Sequence, residues 1–190
     1  MAYFGLSKPY IAKLNVETGM YSDGFRCGEA VGTEVTPNYN EAFLHGDNRL
    51  VEYVKEFKDA DVTVTVTTLP IKAAETMFGH TVDEEKKSIT YNVNDAANYV
   101  GYGFCVQEMK DGIVTYPAVW MPKVKFADSA ESLTTKGESI TFGTPSISGK
   151  AAADAQGNWR YKQTFATEAE ADAWLQEKAN IKASEEAAIK

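Results

Sequence analysis

From Asp61 to Thr68 the chain reads DVTVTVTT, the most restrictive pattern in its 190 residues. Alternation with period two sends Val62, Val64 and Val66 to one face of a strand and Thr63, Thr65 and Thr67 to the other. Both residue types are β-branched and suit a pleated surface. Pro70 lacks an N–H for a ladder and suits the first turn of a helix. Ile71, Ala74 and Phe78 follow at helical spacing, and Gly79 can close the helix in a left-handed conformation. The pattern predicts a strand, a proline stop, a short helix over Pro70–Phe78 and a glycine cap.

The rest of the chain reads mainly as strands. Met1–Pro9 reads as an exposed arm and Tyr10–Leu14 as a first strand. Phe25–Val31 is a second, broken by Gly28. Gly32–Asn48 is polar, with Pro37, Asn38, Asn40, Gly46 and Asp47, and reads as a long loop. Loops that long in compact domains are functional or unstructured. Leu50–Phe57 and Asp61–Leu69 read as a hairpin turned at Lys58–Ala60. Val82–Lys87 is a charged connection, Ser88–Val93 a short strand and Asn94–Asn98 a turn.

Tyr99–Lys110 is a long strand, with Val100, Tyr102, Phe104 and Val106 on one face. Gly101 and Gly103 on the other allow close approach of a backbone or ring. Asp111-Gly112 signals a hairpin. Its return strand, Ile113–Phe126, places Val114, Tyr116, Ala118, Trp120, Val124 and Phe126 on one face. Pro117 and Pro122 make it an edge or bulged strand. Ala127–Lys136 is a polar loop and Glu138–Gly149 another strand, reset by a bulge between Phe142 and Ile147. Ala151–Gly157 is a loop and Asn158–Phe165 the last strand. Thr167 and Glu170 form a capping box. Ala171, Trp174, Leu175 and Lys178 then share a helical face, with Trp174 expected to dock it. One domain over residues 1–178 and a flexible tail over 179–190 are expected.

The net charge of −8 and the lack of a basic patch argue against tight nucleic-acid binding. Cys27 and Cys105 are the two cysteines, each in an apolar run, and read as buried thiols in a reducing cytoplasm. No signal peptide, membrane helix, phosphate loop or dinucleotide loop is expected. His45 and His80 are the only histidines. Neither has partners at metal-ligand spacing, and His80 reads as a helix C-terminal residue. No acid–base pair is marked, so neither an enzyme nor a cofactor is expected.

The loop and hairpin TPNYNEAFLHGDNRLVEYVKEFKDADVTVTVTTLPIKAAETMFGH is followed in order by YVGYGFCVQEMKDG, AVWMPKVKFADSAESLTTKGESITFGTPSISGKA and TEAEADAWL. Over Tyr10–Leu175 this succession resembles the major tail protein, or tail tube protein, family of long-tailed, non-contractile bacteriophages and prophages. The resemblance implies an antiparallel β-sandwich or partly closed barrel flanked by a helix. It implies homo-oligomeric, hexameric rings stacked into a hollow tube in the virion tail. Implied partners are a tape-measure protein in the lumen, other tail proteins at the tube ends, and DNA passing without tight binding. Assembly elements would be the arm Met1–Pro9, the loop with Tyr39, Phe43 and Leu44, and the tail after Ala179. Glu52, Glu56, Thr63, Thr65 and Thr67 are candidate lumen-facing residues. A tube subunit of a contractile tail or related injection system shares the implied fold, and a virion-decorating or carbohydrate-binding β-sandwich module is the alternative from another class.

Overall fold

A computed structural model describes residues 2–83, 85–128 and 143–181. The expected strand from Glu138, with Ile140 and Phe142, begins outside the described residues, as do the tail residues from 182 onward. The strands are β1 (Ala2–Leu14), β2 (Tyr21–Arg26), β3 (Ala30–Gly46), β4 (Arg49–Val66), β5 (Thr81–Asp83), β6 (Ser88–Thr90), β7 (Val100–Lys110), β8 (Ile113–Phe126), β9 (Ser146–Ala152) and β10 (Tyr161–Phe165). Eight of them form one antiparallel sheet in the order β2-β1-β7-β8-β9-β4-β3, with β10 also on β8. β5 and β6 pair separately.

The large sheet folds over its own apolar face without closing into a barrel, which makes a mainly β, sandwich-like fold. Ile11, Phe25, Val62, Val64, Val66, Tyr102, Met121, Val124, Phe126 and Ile147 fill the interior. The expected valine face of β4 is therefore the core face. Tyr102 of β7 spans the interior, and its hydroxyl meets Thr33 Oγ1 of β3 at 2.7 Å. One end is plugged by a short α-helical turn, α1 (Ile71–Ala73), that widens into a π turn over Ala74–Phe78. Gly79 ends it at φ 75°, the left-handed cap expected of a glycine at that position.

The back of the sheet carries a second core under α2 (Glu168–Lys178). Trp120 lies flat across Gly101 and Gly103. A Cβ at either glycine would fall 2.2 or 2.5 Å from the indole, so the bare backbone is what admits the ring. Trp120 Nε1–H donates to Tyr21 Oη at 3.2 Å, and that hydroxyl donates to Pro122 O at 2.8 Å. The Thr167–Glu170 capping box is present. Tyr10 Oη donates to Asp172 Oδ1 at 2.9 Å, and Lys8 Nζ lies 3.2 Å from Asp172 Oδ2, tying α2 to β1.

Several expectations need correction. The N-terminal arm is the first half of β1, because Ala2, Tyr3 and Phe4 pair with β7. The face expected along β8 is split. Tyr102 pairs with Met121 but Val100 pairs with Val124, so β8 holds one extra residue around Pro122. Trp120 and Ala118 accordingly face α2, whereas Val124 and Phe126 face the sandwich interior. Leu175, not Trp174, is the deepest anchor of α2. Ala171, Leu175 and Ala179 have no exposed surface, and Trp174 is only partly buried beside Phe165.

The largest correction concerns residues 32–60. Gly32–Asn48 is not a loop but most of β3 and its turn, and β4 runs unbroken through Lys58–Ala60. The hairpin therefore joins β3 to β4. Its turn is Asp47-Asn48, both left-handed at φ 49° and 57°, as a two-residue hairpin turn with primed geometry requires. At Lys58-Asp59-Ala60 the chain does not turn but makes a bulge. Asn38 pairs with Asp59 while Tyr39 pairs with Phe57, leaving Lys58 as the extra residue.

Candidate functional site

β4 is held by β9 only from Ala60 to Thr65. β3 has no strand on its other side among the described residues. Beyond the Lys58 bulge, the two hairpin strands pair only with each other among the described residues. A two-stranded ribbon alone is marginal in water. This one nevertheless displays Tyr39, Phe43, Leu44, Leu50, Val51, Tyr53 and Val54, each 43–59% exposed. Tyr39, Phe43 and Leu44, expected on a loop, thus sit on a strand.

The two faces differ. One continues the sandwich interior outward as a row of rings. Phe57 stacks on Trp159 at 4.8 Å and meets Tyr39 edge-on at 6.3 Å. Phe43 stacks on Tyr53 at 4.9 Å. Between these groups lies the Lys55–Glu41 pair, 2.9 Å apart, with the ammonium also 4.4 Å from the Tyr39 ring centre. The Lys55 ammonium beside Glu41 lowers the pKa of that carboxyl.

The opposite face is polar near the sheet and mixed further out. Thr63 and Thr65 stand opposite Ser148 and Ser146 of β9, with hydroxyl oxygens 3.5 and 3.3 Å apart. Thr67 lies just past β4, and its hydroxyl accepts the Glu29 backbone N–H at 3.1 Å. Asn38 Nδ2 donates to both Asp59 and Asp61 at 2.7 Å. Lys150 Nζ bridges the same two carboxylates at 3.4 and 2.6 Å. Asn38 lowers the Asp59 pKa most, and Lys150 the Asp61 pKa. Because the bulge inserts one residue, Glu52 and Glu56 fall on this same face, paired with Leu44 and Asn40. Val54 lies between them. Leu50 is turned to the ring face by a second bulge at Val51. The structure thus brings Glu52, Glu56, Thr63 and Thr65 onto one surface, continuous with a β9 ladder that sequence reasoning did not include.

Elsewhere, Cys27 and Cys105 are free and buried, and burial pushes their thiols up to about 12 and about 11. A cleft of about 650 Å³ lies between the β1–β2 turn and the β9–β10 loop, lined by Tyr21, Trp120, Tyr161 and Lys178. The Tyr161 hydroxyl donates to Asp154 at 2.6 Å. His45 is exposed near the hairpin tip. His80 is not a simple helix-end residue, since its ring is buried between two aspartates. Those partners lie 15 and 48 residues away, and no local pattern signals them.

Among the described residues, no helix is long and apolar enough to cross a membrane. No protein-family model matches the chain, and no curated protein matches it by sequence.

Proposed function

We propose that this chain is a structural subunit of a bacteriophage tail tube, built by stacking rings of identical copies, and that it is not an enzyme. The observation that carries the reading is the outer β3–β4 hairpin. Its rings and aliphatic side chains are exposed on both faces, and its β3 edge has backbone N–H and C=O groups with no strand partner among the described residues. Such a surface is an aggregation liability in a lone subunit and an assembly element in a polymer. Among the described residues the two edges of the sheet, β2 and β3, span 6 and 17 residues. Contacts between unlike edges are heterologous, and heterologous contacts generate closed rings or open filaments. Hexameric symmetry, stacking and a tape-measure protein in the lumen come from the resemblance noted in the sequence.

In this reading the hydroxyl and carboxylate face of β9, β4 and β3 lines the channel. A duplex carries one phosphate charge per ~1.7 Å of axis, and lysine- or arginine-rich walls would bind it by releasing counterions. A wall of threonine, serine, aspartate and glutamate, whose Lys150 is already held by Asp59 and Asp61, offers DNA little to hold. The row of rings on the other hairpin face is also what a carbohydrate-binding module would need. Here, however, Phe43–Tyr53 and Phe57–Trp159 stack on each other, which covers one face of each ring, and the Arg160 guanidinium lies 4.6 Å from the Trp159 ring centre.

The test shortens the hairpin. Replacing residues 40–56 by Asn-Gly joins the paired Tyr39 and Phe57 through a two-residue turn. Negative-stain microscopy of the unaltered protein at high concentration should show rings or hollow tubes. The shortened protein should keep its β circular-dichroism spectrum and form neither. Tubes from the shortened chain would remove the hairpin from assembly, and monomers from the unaltered chain would oppose the tube reading itself.

A further inference from the structure

Where β8 ends, three separate parts of the chain meet around one imidazole. His80 follows directly after the Gly79 cap of the π turn and is 5% exposed. Its Nδ1 lies 2.7 Å from Asp95 Oδ2, and its Nε2 lies 2.8 Å from Asp128 Oδ1. The Tyr91 ring covers it at 4.4 Å and Phe78 flanks it at 5.8 Å. Lys13 of β1 and Glu75 of the π turn line the small cavity alongside.

Ionised carboxylates only accept hydrogen bonds, so both contacts require an N–H on each ring nitrogen. A neutral imidazole carries only one. The geometry is therefore that of a doubly protonated ring.

We propose that His80 is a proton-operated clasp: charged, it ties the end of β8 at Asp128 to the π turn and to the 91–95 segment, and neutral, it releases Asp128. This inference is independent of the tube reading. The order of release follows from the partners. Asp95 Oδ2 also accepts the Asn92 backbone N–H at 2.8 Å, and its side chain is 15% exposed. Asp128 is 57% exposed and can turn its carboxylate to water. A ring with a single proton keeps Asp95 and loses Asp128.

Burial pushes the imidazole toward neutrality, but the Asp95 and Asp128 carboxylates outweigh it and raise its pKa above 6.5. His80 and, next, the Asn92 amide lower the Asp95 pKa. The stabilisation by His80 is thus complete below its unfolded pKa of about 6.5 and fades as pH rises through the higher folded value. The part due to Asp95 is complete above about pH 4 and fades as pH falls through its lowered value. The clasp is fully closed between those limits.

Nitrogen-detected NMR of the imidazoles, on protein kept below its assembly concentration, tests this. His80 should hold both ring protons at pH 6 and titrate above the ordinary histidine value of about 6.5. Asp128→Asn should lower its midpoint by about one pH unit, the scale of removing one close opposite charge. Amide exchange supplies a second measurement. The Ala127 N–H, bonded to Ser148 O at 2.9 Å, should lose protection above the His80 midpoint after correction for intrinsic rates. In Asp128→Ala that protection should be lower and independent of pH between 6 and 9. A singly protonated His80 at pH 6, or Ala127 protection that ignores the His80 titration, would overturn the clasp.

Discussion

The docking of α2 gives the sharpest quantitative test of the packing. Leu175 has no exposed surface, and its Cδ2 lies 2.8 Å from where a Cβ on Gly103 would sit. It presses into the floor formed by Trp120 and the bare β7 backbone. Truncation to alanine loses the transfer energy of the buried carbons and opens a cavity, because the indole beneath is fixed by its bond to Tyr21. Leucine-to-alanine changes at such sites cost about 3–4 kcal/mol. Trp174 is larger but only partly buried, resting on Phe165 at 6.1 Å with the Lys178 ammonium 5.5 Å from its ring. A fully buried tryptophan would cost more than the leucine, whereas this half-covered ring should cost about 1.5 kcal/mol. Urea unfolding followed by circular dichroism measures both. For a chain of this size each kcal/mol shifts Tm by about 2–4 °C, so Leu175→Ala should melt roughly 6–16 °C lower than the parent. The reasoning fails if Trp174→Ala is the more destabilising change, because α2 would then be held by its rim and not by its buried stripe.

Gly103→Ala should destabilise by about 1–3 kcal/mol or more, since the added methyl meets the Trp120 ring at 2.5 Å. An unchanged denaturation midpoint would mean that the indole can move aside. In the proposed tail tube, changing Glu52 and Glu56 together to lysine should leave tails intact but slow genome ejection at low salt, with partial recovery as salt screens the new charges. Ejection at the parental rate at every salt concentration would take these residues off the channel wall.

The features legible in the sequence are those set by local chemistry. The valine–threonine alternation, Asp111-Gly112, the Gly101/Gly103 gap for a ring and the Thr167–Glu170 box each depend on residues within a few positions. β3 is hidden because its outer half is exposed on both faces. With no buried side there is no apolar period to read, and Pro37 and the asparagines resemble a loop. Asp47-Asn48 is a readable turn, obscured once the bend is assigned to Lys58–Ala60. The bulges at Lys58 and Pro122 invert the parity of the residues beyond them, so face assignments carried across them fail. Size alone favours Trp174 over Leu175, although spacing places both on the same stripe. His80 cannot be placed from sequence, because its partners come from elsewhere in the chain.

The bulges at Val51 and Lys58 both add residues to β4, so β4 is the longer path through the hairpin and the ribbon bends consistently to one side. Deleting Lys58 would keep every cross-strand pair and every face but straighten the ribbon. In a closed ring the angle between neighbours is fixed by the number of subunits. A hairpin that reaches the next copy must be curved to match that angle. In the proposed ring the extra residues would act as a gauge, and the circumference would depend on two insertions that pair with no residue of β3.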